Sequence, residues 1–129
     1  YKVLLTQVTQ LLDKIENEQD KVFIRSHSQE LQILYLRDIA YIEASKQYTI
    51  IHLVDKQSLF CDESISHWED ILPQDKFGRC HKSYIIHYAQ IDKLGEEILL
   101  CNKESIPISR RQKSYIKEQY TQFILRNAN

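Results

Sequence analysis

Glycine and proline are nearly missing from this 129-residue chain, which holds two of each. With so few glycines, neither a G-x-x-x-x-G-K-[ST] nor a G-x-G-x-x-G phosphate loop can be written. The turns must rely on Asn, Asp, Ser and Lys. The three cysteines (Cys61, Cys80 and Cys101) are odd in number and lack C-x-x-C spacing. That argues against a disulfide scaffold or a zinc knuckle and fits reduced thiols, hence a cytoplasmic setting. Methionine is absent even at position 1, so the chain reads as a fragment of a longer polypeptide. No apolar run approaches the ~20 residues that span a bilayer, and no signal-peptide pattern is present. There is no H-E-x-x-H, and His27, His52, His67, His81 and His87 show no ligand spacing to the cysteines. Cys80-His81 could be called a nucleophile and base, but adjacent strand residues point to opposite faces. The carboxylate pairs Asp62-Glu63 and Glu96-Glu97 fall in expected turns, where a solvated surface accounts for them. No catalytic constellation assembles and no cofactor or metal is implied, so the chain is read as non-enzymatic.

What is there begins with composition. Hydrophobic residues make up 43% and charged residues 27%, ordinary values for one globular domain with a single core. Net charge is −1, yet it is unevenly placed. Residues 1–75 carry 7 Lys/Arg against 13 Asp/Glu, and residues 76–129 carry 10 against 5. One basic face can bind a polyanion while the average stays near zero.

Along the chain, Leu4, Leu5, Val8, Leu11, Leu12 and Ile15 fall on one face at helical spacing. Residues 1–20 are therefore read as an amphipathic helix, either packed on its own domain or leading from an absent upstream domain. From residue 21 the period changes to that of strands. These are expected at 22–24, 31–36, 41–44, 48–54 and 57–61, with a polar turn at 27–30, a corner at 37–40 and a junction at 45–47. Alternation along 48–54 predicts a strand covered on most of both faces. Residues 64–72 make a short helix capped by Ser64 and stopped by Pro73, with Trp68 filling the core. The chain is organised around 77–91, FGRCHKSYIIHYAQI, where Arg79, His81 and Lys82 precede the β-branched and aromatic run Tyr84-Ile85-Ile86. That order predicts a rigid contact loop held by a core strand. Further strands are expected at 98–101 and 105–108, Pro107 marking the latter as an edge. Ser109-Arg-Arg-Gln112 has the S-x-x-Q form that opens a final helix with Ile116, Tyr120, Phe123 and Ile124 on its apolar side. The class is mostly β, with about eight to ten short strands, one internal helix and a helix at each end.

Three strand junctions concentrate cationic and amide side chains: Lys46-Gln47-Tyr48, Arg79 to Lys82, and Ser109-Arg110-Arg111, with Lys113 following. Arg matches guanine by a bidentate fork, Gln matches adenine, and Lys suits guanine or phosphate. A helix start such as that at Arg110 also favours phosphate. Cys80, inside the second junction, would be oxidation-sensitive if it were exposed among these cations.

The sequence resembles the LytTR family, the DNA-binding output domain of many bacterial response regulators. The likeness runs from about residue 21 to 120. It is carried in order by YIEASKQYTIIHL (41–53), SISHWEDILPQDKFGRCHKSYIIH (64–87), AQI (89–91) and IPISRRQKSYI (106–116). It implies a DNA-binding domain over 21–129 in an elongated arrangement of small antiparallel sheets. Its loops would enter successive major grooves of direct-repeat sites and regulate transcription. By position, Gln47 or Tyr48, Lys82 and Arg111 would read bases, while Lys46, Arg79, His81, Arg110 and Lys113 would support the loops or touch phosphate. The implied partners are double-stranded DNA, a second copy on that DNA, an upstream receiver domain and a sensor kinase. Two positions depart from the family pattern: Lys82, more often Arg or Asn, and His87, usually Asn. A β-rich protein-interaction module that kept the scaffold without DNA binding is the alternative.

Overall fold

The computed structural model describes residues 21–25, 30–46 and 48–127. The amphipathic stretch at 3–16, most of the turn at 27–30, and Gln47 lie outside the described residues. β-branched and aromatic segments separated by polar turns give ten short strands among the described residues, in three antiparallel sheets. β1 (Lys21–Arg25) and β2 (Leu31–Tyr35) pair only with each other. A five-stranded sheet in the order β5-β4-β3-β7-β6 contains β3 (Ile39–Ser45), β4 (Tyr48–Leu53), β5 (Ser58–Cys61), β6 (Phe77–His81) and β7 (Tyr84–His87). A three-stranded sheet in the order β10-β9-β8 contains β8 (Ile91–Leu94), β9 (Glu97–Leu100) and β10 (Ser105–Pro107). α1 (Ile65–Ile71) and α2 (Arg110–Asn127) complete the described fold. The strand at 91–94 was not anticipated, because Asp92-Lys93 hides its alternation.

Two apolar cores lie on opposite faces of the five-stranded sheet. Ile42 and Ile85 point to one, with Trp68 and Leu72 from the α1 region. Tyr41 and Ile86, their neighbours in sequence, belong to the other with Ile98, Leu100 and Ile116. Alternate side chains point to alternate faces, so β3 and β7 are the strands covered on both sides. The expectation that β4 would be covered twice is corrected. Thr49, Ile51 and Leu53 are buried, but Tyr48, Ile50 and His52 are half-exposed because the second core covers β3, β6 and β7 and includes no residue of β4.

Ser64 caps α1 as expected, accepting the His67 backbone N–H at 3.2 Å. Trp68 is buried with its polar atom satisfied. Its Nε1–H donates to Thr49 Oγ1 at 2.9 Å, and that hydroxyl donates to the Glu63 carbonyl at 3.0 Å. Scarce glycine leaves its mark on the turns: Lys46, Lys56 and Lys103 all have positive φ, whereas neither glycine does. The two-residue β3–β4 loop, closed by the Ser45–Tyr48 pair, needs that left-handed geometry to match strand twist. Pro107 does sit in the edge strand β10. Ile116 is buried, Tyr120 and Phe123 pack on the second core, and Ile124 is half exposed at 46%.

Candidate nucleic-acid interface

The second junction is more ordered than a contact loop. Phe77 to His81 form strand β6, and only Lys82-Ser83 turn the chain. The β6–β7 register slips between Arg79 and His81, so Cys80 is the extra residue of a bulge. Being out of the ladder, its carbonyl accepts the Ser109 N–H at 2.9 Å, which pins the start of α2 beside the hairpin. β3 and β7 run antiparallel with Glu43 opposite Tyr84, so the turns at 46–47 and 82–83 leave the same end of the sheet. The Ala44 N–H donates to the Ser83 carbonyl at 2.8 Å and joins them. Strand order thus gathers at one end three junctions that are separated in sequence.

A cleft of about 640 Å³ lies between this hairpin, α1 and the start of α2. Of the residues picked out from the sequence, Arg79, His81, Lys82, Ser109 and Arg111 line it. Lys46 and Tyr48 belong to the neighbouring turn, outside this lining, and Tyr48 packs its ring 5.9 Å from that of Phe60. Arg110 is exposed and also outside the lining. Lys113 pairs with Glu96 at 3.0 Å.

In and around the cleft the cations differ in what they are free to do. Arg79 is committed twice, its Nη1 to Glu69 Oε2 at 2.7 Å and its Nη2 to the Lys82 carbonyl at 2.6 Å. It ties the tip of the turn to α1. His81 Nδ1 accepts the Ser83 N–H at 3.2 Å, which shapes the same turn from the other side, and its ring packs edge-on to Tyr84. At the three turns Lys46, Lys82, Arg110 and Arg111 are exposed and make no ion pair with another described residue. The arrangement therefore offers four uncompensated cations on a braced frame. Glu69, Gln74 and Tyr115 also line the cleft and escaped the sequence reading; Gln112, which that reading used only to open the final helix, lines it too. No local signal marks Glu69, whose partner lies ten residues away beyond Pro73.

Two sequence expectations meet their answers here. Cys80 is fully buried, its Sγ facing the Pro107 carbonyl at 3.5 Å, and burial pushes its thiol pKa up to about 12. The oxidation-sensitive reading required exposure and is corrected: Cys80 shares the face of β6 that Gly78 presents to the second core and is buried there. His87 is also buried, and its ring stacks on Phe77 at 4.4 Å. Its Nδ1–H donates to the Ile39 carbonyl at 2.9 Å, so it serves a buried backbone group.

Comparison with curated proteins returned no match. A solved LytTr DNA-binding domain from Bacillus cereus, assigned to a methyl-accepting/DNA response regulator, shares the fold with a TM-score of 0.67. It is 22% identical, and the alignment covers 78% of this chain and 95% of that one. The family described as the LytTr DNA-binding domain matches residues 29–121. With the three junctions assembled and most of its length matched, the chain belongs to the LytTr DNA-binding domain family.

Proposed function

We propose that this domain is the sequence-specific DNA-binding output module of a bacterial transcriptional regulator working in the cytoplasm. The observation that carries the reading is the convergence of the three turns at one sheet end, with Lys46, Lys82, Arg110 and Arg111 exposed and uncompensated. In this reading Gln47 or Tyr48, Lys82 and Arg111 reach base edges in successive major grooves. Arg110, Lys113 and Lys46 hold phosphates, and Arg79 with His81 keeps the second turn in shape. Residues 21–129 form the DNA-binding unit. Two copies sit on an imperfect direct repeat, and residues 1–20 connect to a receiver domain that answers to a sensor kinase.

Fluorescence anisotropy with a promoter fragment and its scrambled counterpart tests this. Preference for the promoter fragment is expected. Arg111→Ala should cost about 1–3 kcal/mol of specific binding and relax one base position. Equal affinity for both fragments at moderate salt would favour a protein-interaction module on the same scaffold.

A further inference from the structure

The two hairpin turns at the end of the five-stranded sheet are built differently. Each has two residues, closed by the pair Ser45–Tyr48 in one and His81–Tyr84 in the other. The first takes left-handed geometry at Lys46, which suits strand twist. Neither Lys82 nor Ser83 has a positive φ, so the second turn lacks that match and the strands it joins tend to splay. The bulge at Cys80 interrupts the ladder just before it. Three further bonds hold this turn. The Ser83 N–H donates to His81 Nδ1 at 3.2 Å, and the Ser83 carbonyl accepts the Ala44 N–H at 2.8 Å. The third comes from Arg79, whose Nη2–H donates to the Lys82 carbonyl at 2.6 Å. Of the three, this one is anchored off the sheet, because Arg79 Nη1–H also donates to Glu69 Oε2 on α1 at 2.7 Å.

We propose that Glu69 is a positioning residue for base readout, holding Arg79 against the turn that carries Lys82 while touching no base itself. The inference rests on the DNA-binding reading and adds to it a specificity determinant on α1. Ordering a long arginine side chain costs entropy that one bond to a carbonyl offsets poorly. The Glu69 carboxylate fixes the guanidinium from its other edge by a short charge-assisted bond, the stronger kind. Its side chain is 45% exposed, so the pair contributes little to folding. What the pair sets is where the Lys82 backbone stands, and from there where the ammonium reaches. A carboxylate near a polyanion weakens binding through its charge, so the charge of Glu69 and its geometry act in opposite directions. Released from Glu69, Arg79 is free to turn outward to a phosphate.

Fluorescence anisotropy on the whole 129-residue chain, with the promoter fragment and a set of its single-base-pair variants, tests this. Lys82→Ala locates the base pair whose identity depends on that side chain. Glu69→Ala should lower discrimination at the same base pair by about fivefold or more. It should spare the base pair that depends on Arg111, raise affinity for scrambled DNA, and leave the urea midpoint close to the parent's. Added to Lys82→Ala, it should cost no further discrimination there. Glu69→Gln, which keeps an acceptor for Arg79 without the charge, should retain most of the discrimination. Unchanged discrimination in Glu69→Ala, or equal loss at every base pair, would overturn the proposal. A parent chain that binds promoter and scrambled DNA alike would instead overturn the DNA-binding reading, and this inference with it.

Discussion

His87 is a titratable ring in a place that resists charge. Burial is the largest influence and lowers its pKa from the ordinary 6.5; the hydrogen bond to Ile39 acts in the opposite sense, and the Lys76 ammonium reinforces the lowering. Below about pH 6.5 the unfolded chain takes up this proton before the folded one does. The stabilisation is therefore complete above that pH and is lost as pH falls through the depressed folded value. Urea unfolding free energies should drop as pH falls below about 6.5, and His87→Asn, which keeps a donor but cannot titrate, should flatten that drop. Parallel pH curves for the two proteins would show that His87 does not govern it. The cysteines make a second prediction at this scale. Burial pushes Cys61 up to about 11 and Cys80 to about 12, while Cys101 is exposed. A thiol reagent at neutral pH should therefore modify one cysteine quickly in the native protein, and Cys101→Ser should abolish that fast phase.

Strand β6 and helix α2 depend on each other at Gly78. A Cβ there would overlap the Tyr88 hydroxyl and lie 2.8 Å from Ile116 Cδ1. Neither can yield cheaply: Tyr88 is buried with its ring against Phe123 at 5.9 Å, and Ile116 is fully buried. Gly78→Ala should cost about 1–3 kcal/mol of stability by overpacking, measurable in urea. Because the start of α2 hangs on the Cys80 carbonyl two residues further along β6, the same variant should lose specific DNA affinity even where it remains folded. A variant as stable as the parent would mean that Tyr88 can swing away.

For the molecule as a whole, charge placement matters more than its sum. Net charge is −1, with the excess of Lys and Arg confined to residues 76–129. Binding through phosphate contacts should show a salt slope, each contact adding about 0.9 to it. Lys113 leaves Glu96 to reach a phosphate in the proposed complex. Lys113→Ala should weaken binding to all sequences alike and lower the slope by about 1 or less. Affinity that stays constant as salt rises would count against any phosphate-contacting arrangement.

Strand periodicity, the Ser64 cap, the stop at Pro73 and the helix start at Arg110 could all be read directly, because each depends on neighbours a few residues apart. The cation-rich junctions were equally legible as local clusters. Other features rest on pairs distant in sequence, which no local pattern encodes. Placement of the second core decided that β3 and β7, rather than β4, are covered on both faces. Burial of Cys80 in the second core removed the exposure on which oxidation sensitivity depended, and the bulge there freed a carbonyl for Ser109. Glu69 took Arg79 out of the set of free cations. The sequence by itself determined which residue types stand at the three turns. Only the tertiary structure decided that strand order brings those turns to one end of a sheet, and which of their charges remain uncompensated there.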